Sequence, residues 1–288
     1  MNGILNVLKP PGMTSHDVVS FVRRMYGLKK VGHAGTLDPA AAGVLPVFLG
    51  NATRLIEYTT DASKSYRAEI TFGYETDTGD DTGNITATGP VIEAEEEKLT
   101  AVFAQFRGTI TQIPPVYSAI KKDGKKLYEL ARAGIAVEVA PRQVIIEKLE
   151  LVRQEPGKLV IDVDCSKGTY IRTLCQDIGR ALGCPATMSF LIRTRVGFFC
   201  LEQAVTLEEI AENKNQVLLP LELAVKHLPA VYLNSLDSKA FCQGKALSVS
   251  AKAESALAVY ASDGVLLGIG SYNKETALLK PQKVLSPS

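Results

Sequence analysis

A short glycine-rich segment around one aspartate is the part of this sequence best suited to chemistry. Residues 31–46 read VGHAGTLDPAAAGVLP, in which the glycines and Asp38-Pro39 predict a tightly turned backbone around a single carboxylate. Two interpretations fit that carboxylate. It caps a short helix that starts at Pro39, or it is the nucleophile or electrostatic stabiliser of a covalent reaction. The segment by itself favours the capping role.

Metal chemistry has little support in the sequence. The histidines are only three, His16, His33 and His227, and they do not follow metal-ligand spacing. The acidic stretch at 77–81 does not follow the spacing of an EF-hand calcium loop either. We therefore expect no metal site.

Cysteine usage and hydropathy indicate a cellular compartment. The five cysteines are odd in number and form no CxxC pair, which is typical of reduced thiols in a cytosolic protein. Residues 1–12 lack the charged start and apolar core of a signal peptide. The longest apolar stretch, 40–49, contains Gly43 and Pro46 and is too short to cross a bilayer. We expect a cytoplasmic protein without membrane contact.

The charge balance does not identify a partner. The formal net charge is only +1, but basic residues are clustered, most densely over 121–126. Gathered on one face, such clusters neutralise phosphates; scattered, they are solvated surface side chains. Composition alone favours the second interpretation. If the partner is RNA, Lys121 to Lys126 and Arg132 are candidates for lining its groove.

Hydrophobic periodicity predicts a mixture of strands and helices. Apolar residues alternate with polar ones from Tyr66 to Tyr74 and again over 159–165, which predicts two half-buried strands. A helix with capping-box spacing at Thr14 and Asp17 is predicted to end near Gly27, and a second helix to end at Gly183.

A change of pattern near residues 226–232 predicts a domain boundary. Beyond it the elements become short strands, two of which flank an Asp263-Gly264 turn. The sequence therefore predicts an α+β fold with mixed α/β character: a catalytic domain over 1–225 and a small β-rich module over 226–288.

Four segments, in order along the chain, resemble the TruB family of pseudouridine synthases. Residues 32–46 match the family's GHxGxLDPxAxGxLP motif, and 64–68 and 73–83 resemble its K-x-Y strand and threonine-rich loop. Residues 114–121, PPVYSAIK, and 166–174, SKGTYIRTL, are similar to two further motifs. Any one match would be weak, but ordered matches across roughly two thirds of the chain are specific.

The resemblance implies a catalytic set of three residues. Asp38 corresponds to the family's nucleophile, and Arg172 to the cation that keeps it ionised. The fixed fork of an arginine suits two parallel hydrogen bonds to a carboxylate. Tyr66 corresponds to the aromatic residue that stacks under the flipped base and whose hydroxyl handles a proton. Without the family context, Tyr66 reads as a core aromatic of a strand and Arg172 as a surface arginine at a helix start.

The resemblance also implies four substrate-binding residues. His33 corresponds to a histidine that contacts RNA and fills the space left by the flipped base, Lys64 begins the K-x-Y strand, and Tyr170 and Leu191 form walls of the same pocket. The ordinary alternatives are a turn histidine bonded to backbone for His33 and a core residue for Leu191.

The fold implied is that of pseudouridine synthases, a mostly antiparallel central sheet flanked by helices, with a small PUA-like C-terminal module. The activity implied is isomerisation of uridine 55 in the T arm of tRNA, without guide RNA or protein partner. This reaction moves no electrons out of the substrate and adds no atom, so it requires neither a redox cofactor nor a metal.

Three other functions remain open on the sequence. The first is a non-catalytic RNA-binding or RNA-folding protein on the same scaffold, although retention of Asp38, Tyr66 and Arg172 speaks against it. The second is a guide-dependent relative of the dyskerin type, which the compact length disfavours. The third is a glycoside hydrolase, which would need a second carboxylate as general acid.

Overall fold

The computed structural model describes residues 1–118, 120–122, 124–135, 137–251 and 256–285. The side chains of Lys121, Lys122, Lys126, Tyr128 and Arg132 lie outside this description. The predicted RNA groove over Lys121 to Lys126 and Arg132 falls largely on them, and it stays a prediction.

Seven α-helices are present in the described part of the chain: α1 Ser15–Tyr26, α2 Ile56–Thr60, α3 Glu96–Gln105, α4 Leu127–Arg132, α5 Ile171–Leu182, α6 Leu207–Asn213 and α7 Ser235–Cys242. Three short 3-10 helices cover Gly50–Leu55, Leu201–Gln203 and Leu221–Ala224. The strands of the first half are β1 Gly3–Lys9, β2 Val31–His33, β3 Ala42–Leu49, β4 Lys64–Phe72, β5 Tyr74–Thr76, β6 Ile85–Thr88, β7 Gly108–Gln112, β8 Lys121–Lys122 and β9 Lys125–Lys126. Those of the second half are β10 Arg142–Glu155, β11 Lys158–Cys165, β12 Ala186–Val196, β13 Phe199–Cys200, β14 Ala230–Leu233, β15 Leu247–Ser248, β16 Ala256–Ala261, β17 Leu266–Asn273 and β18 Leu278–Val284.

The central sheet has nine strands in the order β1-β3-β12-β4-β11-β10-β7, with β13 paired to β12 and β2 to β3. Its ladders are antiparallel except that between β3 and β12, so the mostly antiparallel sheet expected from the sequence is confirmed. The parallel contact depends on a glycine. A Cβ on Gly43, where φ is +114°, would lie 2.2 Å from the backbone oxygen of Arg193.

The predicted helix boundaries of α1 and α5 are confirmed. Thr14 and Asp17 form the expected capping box before α1, and Gly27 ends the helix in the left-handed conformation. Gly183 ends α5 in the same way. The apolar face of α5 consists of Ile171, Leu174, Cys175, Ile178 and Leu182, all of them buried.

Strands β4 and β11 are the centre of the main core. Every second residue of each strand is buried, which confirms the alternation seen in the sequence. Their buried faces pack against α3 and α5. A fully buried aliphatic side chain contributes about 1.5–3 kcal/mol, so this layer holds β4 and the start of α5 firmly in place.

A second sheet of five strands, in the order β14-β16-β17-β18-β15, forms the C-terminal part of the chain. Its hairpin across Asp263-Gly264 is confirmed, with β16 and β17 as arms. Ala258 and Ile269 of this sheet belong to the same apolar cluster as Ile4 and Phe48 of the central sheet. Division into domains at 225 and 226 remains a prediction.

No helix in the described ranges has the length and apolar character needed to cross a membrane.

Candidate active site

Asp38 lies on a loop between β2 and β3, which pair with each other in an antiparallel ladder. One interpretation of the sequence made Asp38 the cap of a helix starting at Pro39, and the structure has no helix there. The Ala41 amide donates to the Asp38 carbonyl in a turn, and β3 begins at Ala42. The capping interpretation is therefore wrong, and the Asp38 carboxylate is free of that role.

The loop that carries Asp38 is tied down by side chains on both flanks. The Ser15 hydroxyl donates to the Leu37 carbonyl at 3.0 Å and accepts from the Leu37 amide at 2.9 Å. Behind it, the ammonium group of Lys9 donates to the carbonyls of Pro10, Met13 and Pro39. Burial lowers the pKa of Lys9 to about 8. These bonds hold the loop on both sides of Asp38.

Arg193 supports the same loop from β12. Its side chain is 1% exposed and donates to the carbonyls of Gly35, Thr36 and Val44. A buried guanidinium is costly unless its donors are satisfied, and three backbone carbonyls satisfy them here. Arg193 therefore connects the Asp38 loop to the central sheet.

Arg172, near the start of α5, forms an ion pair with Asp38. The shortest distance joins Nε of Arg172 to Oδ2 of Asp38 at 3.2 Å. The two terminal nitrogens instead donate to the carbonyls of Thr78, at 2.7 Å, and Tyr117, at 2.9 Å. The prediction of two parallel hydrogen bonds from Arg172 to the Asp38 carboxylate is therefore wrong, because both terminal nitrogens of Arg172 are bonded to backbone carbonyls.

A second carboxylate shares Arg172. Oδ2 of Asp80 lies 3.8 Å from Nε of Arg172, and its Oδ1 accepts hydrogen bonds from the Thr78 hydroxyl and from Thr82. The threonine-rich loop between β5 and β6 thus anchors the cation that faces Asp38. The side chain of Arg172 is 6% exposed and that of Asp38 is 39% exposed, so the acid is open to a ligand while its partner is not.

Tyr66 and Lys64 lie on β4, next to β11 and β12. Burial raises the pKa of the Tyr66 hydroxyl, and the neighbouring Arg193 guanidinium opposes that shift. Burial lowers the pKa of Lys64 to about 8. The Lys64 ammonium donates to the carbonyls of Thr60 and Ala62 at 2.8 and 2.7 Å, so it is held against the end of α2.

Six of the seven predicted site residues line one cleft of about 270 Å³. They are Asp38, Lys64, Tyr66, Tyr170, Leu191 and Arg172. His33, the seventh, is in β2 and does not line this cleft. Its Nδ1 atom is buried without a hydrogen-bond partner, and burial lowers the pKa of the ring. The structure therefore brings the acid, its arginine and the aromatic residue together, with His33 outside.

Comparison with known proteins assigns the chain to a family. Residues 23–171, more than half of the chain, match the N-terminal domain of TruB family pseudouridylate synthases. The chain belongs to the TruB family. Residues 172–226 match the C-terminal domain of tRNA pseudouridylate synthase B, and 229–285 match a C-terminal domain of pseudouridine synthase II TruB.

Relatives in the TruB family cover most of the chain. The protein named tRNA pseudouridine synthase B in Caldanaerobacter subterraneus subsp. tengcongensis is 51% identical over 94% of this chain and 95% of its own length. A protein of the same name in Alkaliphilus oremlandii is 52% identical over 85% of this chain and 82% of its own length. Among solved structures, a chain of a Cbf5-Nop10-Gar1 complex is similar with a TM-score of 0.79 and 29% identity, covering 99% of this chain and 85% of that one.

Three residues of the site in this TruB-family chain were missed from the sequence. Lys9 and Arg193 hold the Asp38 loop, and Asp80 shares Arg172. Asp80 lies inside the threonine-rich loop that resembles the family, so that motif was a usable signal. For Lys9 and Arg193 the only local signal is a charged residue within an apolar strand pattern. The described residues contain no cluster of ligands able to hold a metal.

Proposed function

We propose that this protein converts uridine 55 in the T arm of tRNA to pseudouridine, with Asp38 as the nucleophile and without a guide RNA. The observation that carries the proposal is the half-exposed Asp38 carboxylate, set against buried Arg172 in a cleft that Tyr66 also lines. Membership of the TruB family supports the reaction class, and relatives named tRNA pseudouridine synthase B support tRNA as the substrate.

Asp38 supplies the carboxylate that the isomerisation needs. The reaction breaks the bond between N1 of uracil and C1′ of ribose, turns the base, and joins C5 to C1′, after which the proton on C5 leaves. A carboxylate that attacks C1′, attacks the base or stabilises a glycal-forming path serves each of these routes. Arg172 sets a buried positive charge 3.2 Å from this carboxylate and holds it in position for the reaction.

Tyr66 provides the platform for the flipped base. Extracting a uridine from the RNA stack costs a few kcal/mol, and stacking on an aromatic ring returns about 1–3 kcal/mol. The Tyr66 hydroxyl is the group we assign to handling the C5 proton. Burial raises the pKa of this hydroxyl and the Arg193 guanidinium opposes the shift only in part, so Tyr66 acts as a neutral phenol that takes up the C5 proton while it passes its own proton to water.

Four other residues bind the substrate in this proposal. Tyr170 and Leu191 enclose the base from the two sides of the cleft, and Lys64 adds a positive charge at its floor. His33, part-buried at the end of β2, contacts the RNA next to the cleft through the exposed part of its ring.

The tRNA is the only partner that the proposed reaction needs, and the C-terminal five-stranded sheet is the PUA-like module that extends the RNA-binding surface. We place this activity in the cytoplasm, and neither cofactor nor metal takes part in the steps above.

Tritium release tests the proposal directly. Transcribed tRNA carrying [5-³H]uridine is incubated with the protein without added metal or guide RNA. Wild type is expected to release tritium, tRNA with cytidine at position 55 to release none, and Asp38→Asn to abolish release. Asp162→Asn, a carboxylate paired with Arg67 on the surface, is the matched control and is expected to act like wild type.

Two results would overturn the proposal. Release by Asp38→Asn at the wild-type rate would remove Asp38 from the chemistry. If wild type binds tRNA without releasing tritium, the non-catalytic RNA-binding function replaces the enzyme.

A further inference from the structure

Among the described residues, five cations line the active-site cleft, and four of them already have partners. Lys64 donates to two backbone carbonyls, Lys167 pairs with Asp61, and Arg172 pairs with Asp38. Arg193 donates to three carbonyls. The fifth cation is Arg142, at the start of β10, and its guanidinium forms no hydrogen bond or ion pair with the described residues.

The Arg142 guanidinium is nonetheless held in place. It lies over the ring of Tyr170 with 4.6 Å between its central carbon and the ring centroid. Its Nε atom is buried without a hydrogen-bond partner. A buried donor left unpaired is costly, so a guanidinium that is fixed, partly desolvated and without a hydrogen-bond partner among the described residues has the properties of a group awaiting a ligand.

The surroundings of Arg142 form a built site. Gln112, 1% exposed and opposite Arg142 in the ladder of β7 and β10, clamps the Tyr170 backbone with its side-chain amide. That amide donates to the Tyr170 carbonyl at 3.3 Å and accepts from the Tyr170 amide at 3.0 Å. The ring under Arg142 is therefore fixed by its own backbone before any ligand arrives.

Because Gly168 has no side chain, the guanidinium of Arg142 fits against its backbone. A Cβ at this position would lie 3.2 Å from the central carbon of the Arg142 guanidinium, and the backbone has a φ of +86°, which favours glycine. Ser118 adds a second unsatisfied group in the same cleft, because its hydroxyl is buried without a partner at 5% exposure of the residue.

We propose that Arg142, stacked on Tyr170, is the phosphate-binding site for the nucleotide that enters this cleft. The proposal rests on the proposed function, since it takes the occupant of the cleft to be a uridine within an RNA chain. Each nucleotide in a chain is flanked by two phosphates. A guanidinium that uses its face to stack keeps its N–H edge for bidentate binding of a phosphate.

The geometry also explains why Arg142 binds a phosphate rather than the Asp38 carboxylate. Arg172 already neutralises Asp38, and residues Gly168 to Arg172 form a continuous wall from the Arg142 site to that pair. Binding the phosphate at one end of this wall fixes the position of the ribose relative to Asp38. Arg142 is thus a positioning residue for the substrate.

The test uses synthetic T-arm hairpins in which one phosphate next to the target uridine is made neutral as a methylphosphonate. One hairpin carries the change on the 5′ side and another on the 3′ side, and the unmodified hairpin is the reference. Dissociation constants and single-turnover rates are measured for wild type, Arg142→Gln and Arg142→Lys, with thermal unfolding as a check of folding.

On the unmodified hairpin, Arg142→Gln is expected to weaken binding about tenfold and to reduce the slope of log affinity against log salt by about 0.7–0.9. One of the two methylphosphonates is expected to weaken wild type by the same factor and to leave Arg142→Gln unchanged. Arg142→Lys keeps the charge but loses the fork, so its sensitivity to that methylphosphonate is expected to be intermediate. If Arg142→Gln does not fold, this intermediate sensitivity decides the proposal.

Arg153→Gln is the matched control, because Arg153 is on the same strand, pairs with Glu155 and is 61% exposed. It is expected to respond to both methylphosphonates as wild type does. The proposal is overturned if each of the two methylphosphonates, tested separately, weakens wild type and Arg142→Gln by equal factors, because Arg142 then contacts neither phosphate. Absence of turnover by wild type on the unmodified hairpin would contradict the proposed function instead, and the binding measurements would still report on Arg142.

Discussion

Two arginine–aspartate pairs on opposite sides of this molecule show how little the quality of a contact says about its importance. On the outer face of the central sheet, Arg67 and Asp162 form two parallel bonds of 2.8 Å each. In the cleft, Arg172 approaches Asp38 at 3.2 Å through one nitrogen. The better geometry belongs to the surface pair, whose arginine is 48% exposed, against 6% for Arg172.

The difference lies in what each charge would do without its partner. Arg67 would be solvated by water, so the pair gains little from being formed. Arg172 is closed off from water and is held by backbone carbonyls as well as by Asp38 and Asp80. The arginine of the cleft therefore cannot turn away, and it imposes its charge on Asp38 whether or not their hydrogen bond is well aligned.

Of the two arginines in these pairs, Arg172 is expected to show the larger effect when it is replaced. Arg172→Lys keeps the charge but cannot reach Thr78, Tyr117 and Asp38 together. We expect the single-turnover rate to fall by about 10²–10³, similar to the loss of one preorganised charge-stabilising group. Tritium release under single-turnover conditions measures the effect. A rate within a factor of three of wild type would show that charge alone suffices, and would weaken the comparison.

The pH dependence of RNA binding tests a second buried cation, Lys64. Because burial lowers its pKa from 10.5 to about 8, Lys64 loses its charge near pH 8 in the folded protein. We expect affinity for tRNA to fall as pH rises through this value, and Lys64→Met to bind more weakly at neutral pH without that decline. Fluorescence anisotropy at constant ionic strength provides the measurement. An identical pH profile for both proteins would contradict the prediction.

The lowered pKa of Lys64 affects stability in the opposite direction: the affinity for tRNA is expected to fall as pH rises, but the free energy of unfolding is expected to increase. Between the folded value of about 8 and the unfolded value of 10.5, the unfolded chain binds more protons than the folded one, so the free energy of unfolding rises with pH across this window. Below pH 8 the cost of burying the charge is fully present. Lys9, with a pKa also lowered to about 8, contributes in the same direction, so Lys64→Met is expected to reduce the rise without removing it.

The smallest effect is expected at the surface pair. Arg67→Ala is expected to change the free energy of unfolding by at most about 1 kcal/mol, since exposed pairs contribute little even with ideal geometry. Tritium release is expected to stay at the wild-type level. Urea unfolding measures the stability and the release assay measures the activity. A decrease of more than about 2 kcal/mol in the free energy of unfolding, twice the limit for an exposed pair, would show that the surface pair is not the weaker of the two.

Local sequence was sufficient for much of the fold. The alternation in β4 and β11, the capping box of α1 and the glycine that ends α5 depend on neighbours within a few residues, and all were predicted. The ordered motifs alone predicted that Asp38, Tyr66 and Arg172 share one site. The fork of Arg172 was predicted wrongly, because its competing acceptors, the carbonyls of Thr78 and Tyr117, belong to distant segments.

What the sequence by itself determined is therefore the set of elements, the family and the choice of Asp38 as the acid we propose to react, because these depend on short-range periodicity and on ordered motifs. Only the tertiary structure decided which charges support that acid. Lys9, Asp80 and Arg193 reach the site from separate strands and loops. Whether a cation has its donors satisfied by carbonyls, as Arg193 has, or lies on a ring without a hydrogen-bond partner among the described residues at Nε, as Arg142 does, depends on groups brought together by folding, and no local pattern records that proximity.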